Sequence, residues 1–205
     1  MSEQLVKDWH SRDYLPRFDG APAIQFITFR LADSLPRELL LRRAQAHSRE
    51  ERVGWMREAE ALLDSGQGCC ALRHPNCARI MQETLLHFDG ERYKLLAWVI
   101  MLNHVHVLVE TSAEHQAPKV MRSWKSFATR MINRELGRIG QLWWDEYFDR
   151  TVRDEQQLRQ ALNYTEYNPV AAGLCRSPRD FAFSSAMLRG VTASQEEQAR
   201  VPVAV

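Results

Sequence analysis

His104 and His106 flank Val105 in the run HVHVLVE (His104–Glu110). Side chains alternate along an extended strand, so both imidazoles leave one face while Val105, Val107 and Val109 leave the other. Two imidazoles one strand step apart can hold a divalent metal such as Mg²⁺, Mn²⁺ or Zn²⁺. The plain alternative is a pair of half-exposed histidines with no ligand. Sixty residues on, Tyr164 and Asn168 lie four apart in a helical pattern, which puts a phenol and a carboxamide on one face. Each also has an ordinary reading: Asn168 precedes Pro169, and Asn-Pro is a common helix terminator, while a tyrosine is commonly a core or surface aromatic.

The elements that must carry these groups follow from the hydrophobic pattern. Ile24–Leu31 (IQFITFRL) reads as a strand buried on much of both faces. Residues 35–63 read as one or two helices, stopped by Gly66-Gln67-Gly68, and residues 74–87 as another. Tyr93–Met101 and His104–Glu110 read as a hairpin. Lys119–Leu136 is the clearest helix, with Val120, Trp124, Phe127, Met131 and Ile132 on its apolar face and glycines 137 and 140 at its end. Trp143–Val152 (WWDEYFDRTV) reads as a fourth strand. Asp154 is a plausible N-cap for a helix through Tyr167, which Asn168-Pro169 should end. The order βαββαβ predicts a ferredoxin-like α+β fold: a mostly antiparallel four-stranded sheet with helices on one face. Residues 35–67 would be a helical insertion after strand one. Residues 1–20 would be an N-terminal arm, 21–189 one domain and 190–205 a disordered tail.

The chain has 205 residues, 45% hydrophobic and 26% charged, the composition of a globular protein rather than a fibrous or disordered one. Its start, MSEQLVKDWH, has no apolar core, and its longest apolar run, LLAWVIML (Leu95–Leu102), is far short of a membrane span. The four cysteines (69, 70, 77 and 175) suggest no disulfide framework, so reduced thiols in a cytoplasmic protein are expected. With 27 Lys+Arg against 26 Asp+Glu, the net charge of +1 argues against a nucleic-acid binder only if charge is evenly spread. It is not. Residues 35–67 carry six basic and six acidic residues, whereas 119–138 carry six basic residues against Glu135 alone. Arg122, Arg130, Arg134 and Arg138 fall on one stripe at i+4 and i+8 steps, with Lys125 in the same segment. This is either a solvated helix face or a surface that tracks phosphates, and the single acid among seven charges favours the second. In the arm, Arg12, Tyr14 and Arg17 could read a short sequence beside a hairpin. Trp143, Trp144 and Tyr147 default to core, though one could stack an unpaired base.

The stretch WVIMLNHVHVLVE (Trp98–Glu110) resembles the histidine-hydrophobic-histidine motif of single-strand endonucleases. RSWKSFATRMINRELGRIGQLWWDEYFDRTVRDE (Arg122–Glu155) and YTEYNPVAAGL (Tyr164–Leu174) resemble the REP-associated tyrosine transposases, bacterial relatives of the single-tyrosine insertion-sequence transposases. So do Phe18–Pro36 and His87–Val99, and the likeness covers about residues 15–189. It implies that His104 and His106 bind the metal, Mg²⁺ or Mn²⁺, that Tyr164 is the nucleophile, and that Asn168 stands where relatives place a polar third ligand. It implies a 5′-phosphotyrosine intermediate with release of a 3′-hydroxyl, acting on single-stranded DNA folded into repetitive extragenic palindrome hairpins. A bacterial, nucleoid-associated protein would follow. The chain departs from the family pattern at Leu102, where proline is frequent, at Thr165, and at Phe181-Ala182-Phe183. Tyr167 is the main rival nucleophile, and Tyr147 a more distant one.

Two other classes fit the same elements. A hairpin binder that keeps the fold without cleavage is disfavoured by the retained His-x-His and Tyr164. A ferredoxin-like RNA-binding module would need exposed aromatics on the sheet, where His104 and His106 stand instead. The sequence leaves open a monomer or a homodimer, and whether the tyrosine helix serves its own subunit.

Overall fold

The computed structural model describes residues 9–12, 15–18 and 23–189. A short antiparallel hairpin of β1 (Trp9–Arg12) and β2 (Leu15–Phe18) lies where a polar arm was expected. The main sheet has four strands: β3 (Ala23–Arg30), β4 (Tyr93–Ile100), β5 (His104–Thr111) and β6 (Phe148–Thr151). Their order is β4-β5-β3-β6, and every neighbouring pair is antiparallel. This is the ferredoxin-like order that the βαββαβ pattern predicts. The tail from 190 on lies outside the described residues.

Period-2 patterning decides what each face of the sheet carries. Ile27 and Phe29 on β3, with Val105, Val107 and Val109 on β5, join the larger core. The two crossover helices, α3 (Pro75–Leu86) and α4 (Ala117–Glu135), cover it through Cys77, Ala78, Met81, Leu85, Val120, Trp124, Ala128 and Ile132. The other face has Phe26, Ala97 and Leu108, which pack on Ala161, Leu158 and Leu162 of α5 (Glu155–Ala171). Helices therefore cover both faces, a correction to the one-faced arrangement expected. β3 and β5 are apolar on both sides, so a second layer is needed to bury the Phe26 and Leu108 face.

Three local differences have clear causes. Residues 141–147 form a loop joined to β3 by one bridge, Leu31–Trp143, so the fourth strand is only Phe148–Thr151. The Lys125 amine donates to the carbonyls of Trp144, Asp145 and Glu146, at 2.7, 3.0 and 3.3 Å, taking the place of ladder partners. In α5 the helix runs through Pro169 to Ala171 instead of ending at Asn168. Only one turn remains there, so one missing N–H is tolerated. The stop is Gly173, at φ 70°, where Gly173 N–H bonds the Val170 carbonyl and Leu174 N–H that of Pro169, the paired bonds of a left-handed cap. On α4, Phe127 is exposed beneath the Arg130 guanidinium, and Met121 and Ala128 take the buried positions instead.

The insertion forms two helices, α1 (Arg37–Gln45) and α2 (Arg49–Asp64). Ser48 and Glu51 make a reciprocal capping box that starts α2. A small core of Leu35, Leu39, Ala59 and Leu63 joins the pair, and the Trp55 indole N–H donates to the Leu39 carbonyl. The insertion returns to its point of departure. The Asp33 carboxylate, just after β3, accepts from Cys69 N–H at 2.8 Å. Gly68 beside it has φ 84°, and a Cβ there would fall 2.6 Å from the Asp33 carbonyl oxygen, so only glycine fits this closure.

Candidate active site

β5 places His104 and His106 on the face covered by α5, as their alternation requires, and opposite Arg30 and Thr28 of β3 in register. Both imidazoles are 1% exposed, not half-exposed, because α2 and α5 close over this face. Their Nε2 atoms stand 3.0 Å apart. The outer nitrogens are fixed by neighbours. His104 Nδ1 meets Asn103 Oδ1 at 2.8 Å, and the Asn103 amide nitrogen donates to the Gln67 carbonyl at 2.8 Å. That second bond sets the amide orientation, so His104 must donate from Nδ1, which leaves Nε2 as a bare lone pair. His106 Nδ1 meets Thr28 Oγ1 at 2.7 Å. Burial pushes both imidazoles well below the ordinary histidine range, His106 to about 3, and each is neutral at pH 7.

Tyr164 reaches this pair from α5. Its ring meets His106 edge-on at 5.3 Å and Phe26 at 5.6 Å. The Glu60 carboxylate and the Asn168 side chain lie beside the phenol. Its pKa is driven upward by burial, then by the charges of Glu60 and Asp64, so the hydroxyl keeps its proton at neutral pH. Tyr167 lies 59% exposed, outside this cluster, and Tyr147 is buried in the core on the opposite face. The tyrosine helix thus packs on the sheet of its own chain.

Asn168 is 4% exposed, and its Oδ1 has no hydrogen-bond partner. A buried amide oxygen without a donor is a group that a cation or water satisfies. With His106 donating from Nδ1 to Thr28 Oγ1, its Nε2 also offers a lone pair, and two such nitrogens 3.0 Å apart match two donors on one ion with bonds of about 2.1 Å. His104 and His106 therefore fit the divalent metal that the sequence implies, and the unpartnered Asn168 oxygen is an oxygen donor on the helix that carries Tyr164. Among the described residues there is no preformed cluster of three His, Cys, Asp or Glu side chains, so any further protein ligand must close onto the histidine pair.

Sequence patterning missed two carboxylates and a cation. Glu60 and Asp64 sit one turn apart on α2, in an insertion whose charges balance and so gave no signal. Asp64 Oδ1 lies 3.7 Å from His104 Nε2, and with His104 neutral this contact is not an ion pair. Burial, then Glu60, raises the Asp64 pKa to about 6. Arg30 is 8% exposed, lies across the Trp144 ring at 4.6 Å and donates to Ser34 Oγ. Its burial lowers the guanidinium pKa to about 10.

The proposed DNA-binding residues separate. Arg122, Arg130 and Arg134 are exposed on α4, but α4 covers the face opposite the histidine pair. Arg138 donates to the Gln141 carbonyl at 2.8 Å. Lys125 is a correction: its amine is committed to the 144–146 carbonyls and holds that loop. Trp143 is core against Phe29, as its default reading has it. The backbones of Arg12 and Arg17 fall in the β1–β2 hairpin, and their side chains lie outside the described residues.

The site joins a histidine pair on one strand of a ferredoxin-like sheet to a tyrosine helix docked over it, and residues 74–168 match the family described as "Transposase IS200 like". The chain is also similar to REP-associated tyrosine transposases, as the sequence motifs indicate. A Haemophilus influenzae protein so named is 25% identical over 120 residues, 51% of this chain and 63% of that protein. The match thus spans less than two thirds of that relative's length. The solved structure of a REP-associated tyrosine transposase bound to a REP hairpin shares the fold. It has a TM-score of 0.52 and 16% identity, over 87% of this chain and 82% of that one. Among the described residues no helix is long and apolar enough to cross a membrane.

Proposed function

We propose that this chain is a metal-dependent single-strand DNA endonuclease and strand transferase with Tyr164 as nucleophile. The observation that carries the reading is the Tyr164 ring seated against His106, beside two Nε2 atoms 3.0 Å apart. Mg²⁺ or Mn²⁺ held by His104, His106 and Asn168 would polarise a scissile phosphate oxygen and offset developing charge. Tyr164 Oη forms the new bond to phosphorus as the bond to the 3′-oxygen breaks, giving a 5′-phosphotyrosine and a free 3′-hydroxyl. Glu60 stands beside the phenol, so that carboxylate is the group proposed to take the proton as attack begins. Phenolate is a better leaving group than an aliphatic alkoxide, so a 3′-hydroxyl can reverse the step and reseal DNA without ATP.

The substrate proposed is single-stranded DNA folded into a REP-type hairpin, the ligand named for the structural relative. Arg122, Arg130 and Arg134 supply a phosphate-tracking surface separate from the chemistry. Incubation with labelled hairpin DNA and Mn²⁺ should give a denaturation-resistant protein–DNA adduct. Tyr164→Phe should abolish it, while Tyr167→Phe should retain it. An adduct that survives Tyr164→Phe refutes the assignment of the nucleophile. No adduct with the wild type, but retained hairpin binding, favours a non-catalytic binder.

A further inference from the structure

We infer that Asp64, the last residue of the inserted helix α2, is a third protein ligand to the divalent ion, which makes the insertion part of the active site. This rests on the metal-dependent reading above.

Position is the first argument. Asp64 Oδ1 lies 3.7 Å from His104 Nε2, the bare nitrogen of that imidazole. Two donors sharing one ion at about 2.1 Å stand roughly 3.0–3.5 Å apart, so a shift of a few tenths of an ångström brings the carboxylate within reach of an ion on that nitrogen. The placement is built. Gln67, three residues after Asp64, accepts from Asn103 Nδ2, and the same Asn103 accepts from His104 through Oδ1. Asp33 holds the next turn through Cys69 N–H. One asparagine therefore sets both the tautomer of His104 and the end of the helix that brings Asp64 to it.

Charge is the second argument. His104 and His106 are neutral donors, and Mg²⁺ and Mn²⁺ prefer oxygen, commonly with at least one carboxylate. Asp64 has no cationic side chain among the described ion pairs; its only contact there is neutral His104. The neighbouring Asn168 Oδ1, buried and without a hydrogen-bond partner, independently marks this spot as a place for a cation. A half-buried carboxylate facing His104, itself paired with His106, is a donor set without a positive charge of its own.

The test is binding, not turnover. The full chain, without DNA, is titrated with Mn²⁺, and the free-ion EPR signal reports affinity. Asp64→Asn and Asp64→Ser should each weaken binding at least tenfold, with melting temperatures near wild type, because Asp64 supports no other described hydrogen bond. Glu83→Gln, an exposed carboxylate on α3 over the opposite face, should bind Mn²⁺ as wild type. If His104→Ala abolishes binding while both Asp64 variants bind as wild type, the inference is overturned and the metal reading stands. If His104→Ala binds as wild type, the metal reading itself fails.

Discussion

The ring of Tyr164 meets that of His106 edge-on, with centroids 5.3 Å apart and planes at 78°. The two residues are 58 positions apart, on a helix and a strand that become neighbours only when α5 packs on the sheet through Ala161, Leu158 and Leu162. Glu60, a residue of the insertion, stands beside the hydroxyl end of that ring. Strand, helix and insertion therefore meet at one phenol.

The Glu60 contact predicts a specific kinetic loss. Glu60→Gln keeps a polar side chain beside Tyr164 but cannot take its proton. Adduct formation should slow by about 10²–10⁴-fold, the usual contribution of a positioned base, with hairpin affinity unchanged. Single-turnover cleavage rates measure this, and a rate within threefold of wild type would remove Glu60 from the mechanism.

Asn103 predicts an effect at a distance from the phosphate. Asn103→Leu removes the acceptor that holds His104 in its Nδ1–H tautomer and unties Gln67. Loss of such outer hydrogen bonds typically costs 10–100-fold in metal affinity. Mn²⁺ titration should show that loss, while Asn103→Asp, which keeps an acceptor facing His104, should recover most of it.

The basic residues of α4 should divide into two classes. Lys125→Met frees three carbonyls of residues 144–146 and should cost about 1.5–3 kcal/mol of stability in denaturant unfolding. Its hairpin affinity should stay near wild type. Arg130→Gln with Arg134→Gln should leave stability nearly unchanged and weaken hairpin binding at low salt. The log–log salt slope should fall by about 0.7–0.9 for each phosphate that the protein no longer neutralises. Fluorescence anisotropy across salt concentrations separates the two, and a salt slope unchanged in the double variant would place the DNA elsewhere.

Acid should destabilise the metal-free protein. The folded state keeps His104 and His106 neutral, with His106 at about 3, whereas an unfolded histidine titrates near 6.5. From about pH 6.5 downward the unfolded chain binds protons that the folded chain refuses, so stability falls as pH falls. Asp64, raised to about 6, acts in the opposite sense: its contribution is full below about pH 4 and is lost as pH rises through 6. Glu60, also raised by burial, acts in the same sense as Asp64, but the two fully buried imidazoles are displaced further and outweigh both carboxylates. Melting temperature in chelator should therefore drop between pH 7 and pH 4. Replacing both histidines with glutamine should flatten or reverse that slope, and an unchanged slope would show that the acid sensitivity lies elsewhere.

Local pattern was enough for the strands β3, β4 and β5, for the helices, and for the shared direction of His104 and His106, because alternation and helical spacing act within a few residues. The motifs around the histidines and Tyr164 carried the family resemblance for the same reason: they are contiguous. Other features are settled by contacts between distant parts of the chain. Trp143–Tyr147 has strand-like residues, yet Lys125 takes its carbonyls and makes it a loop. Pro169 reads as a stop, yet the helix runs on to the cap at Gly173. Glu60 and Asp64 look like ordinary charges of a balanced insertion, and come beside the histidine pair and Tyr164 only because Asp33 and Asn103 fold the insertion back over β5. The basic stripe of α4 is legible as a stripe, but which face of the sheet it occupies depends on which side of each strand is buried. Chemistry that lies within one strand or one helical turn is written in residue spacing. Chemistry assembled from three elements depends on how their apolar faces pack, and that is decided only when the whole chain folds.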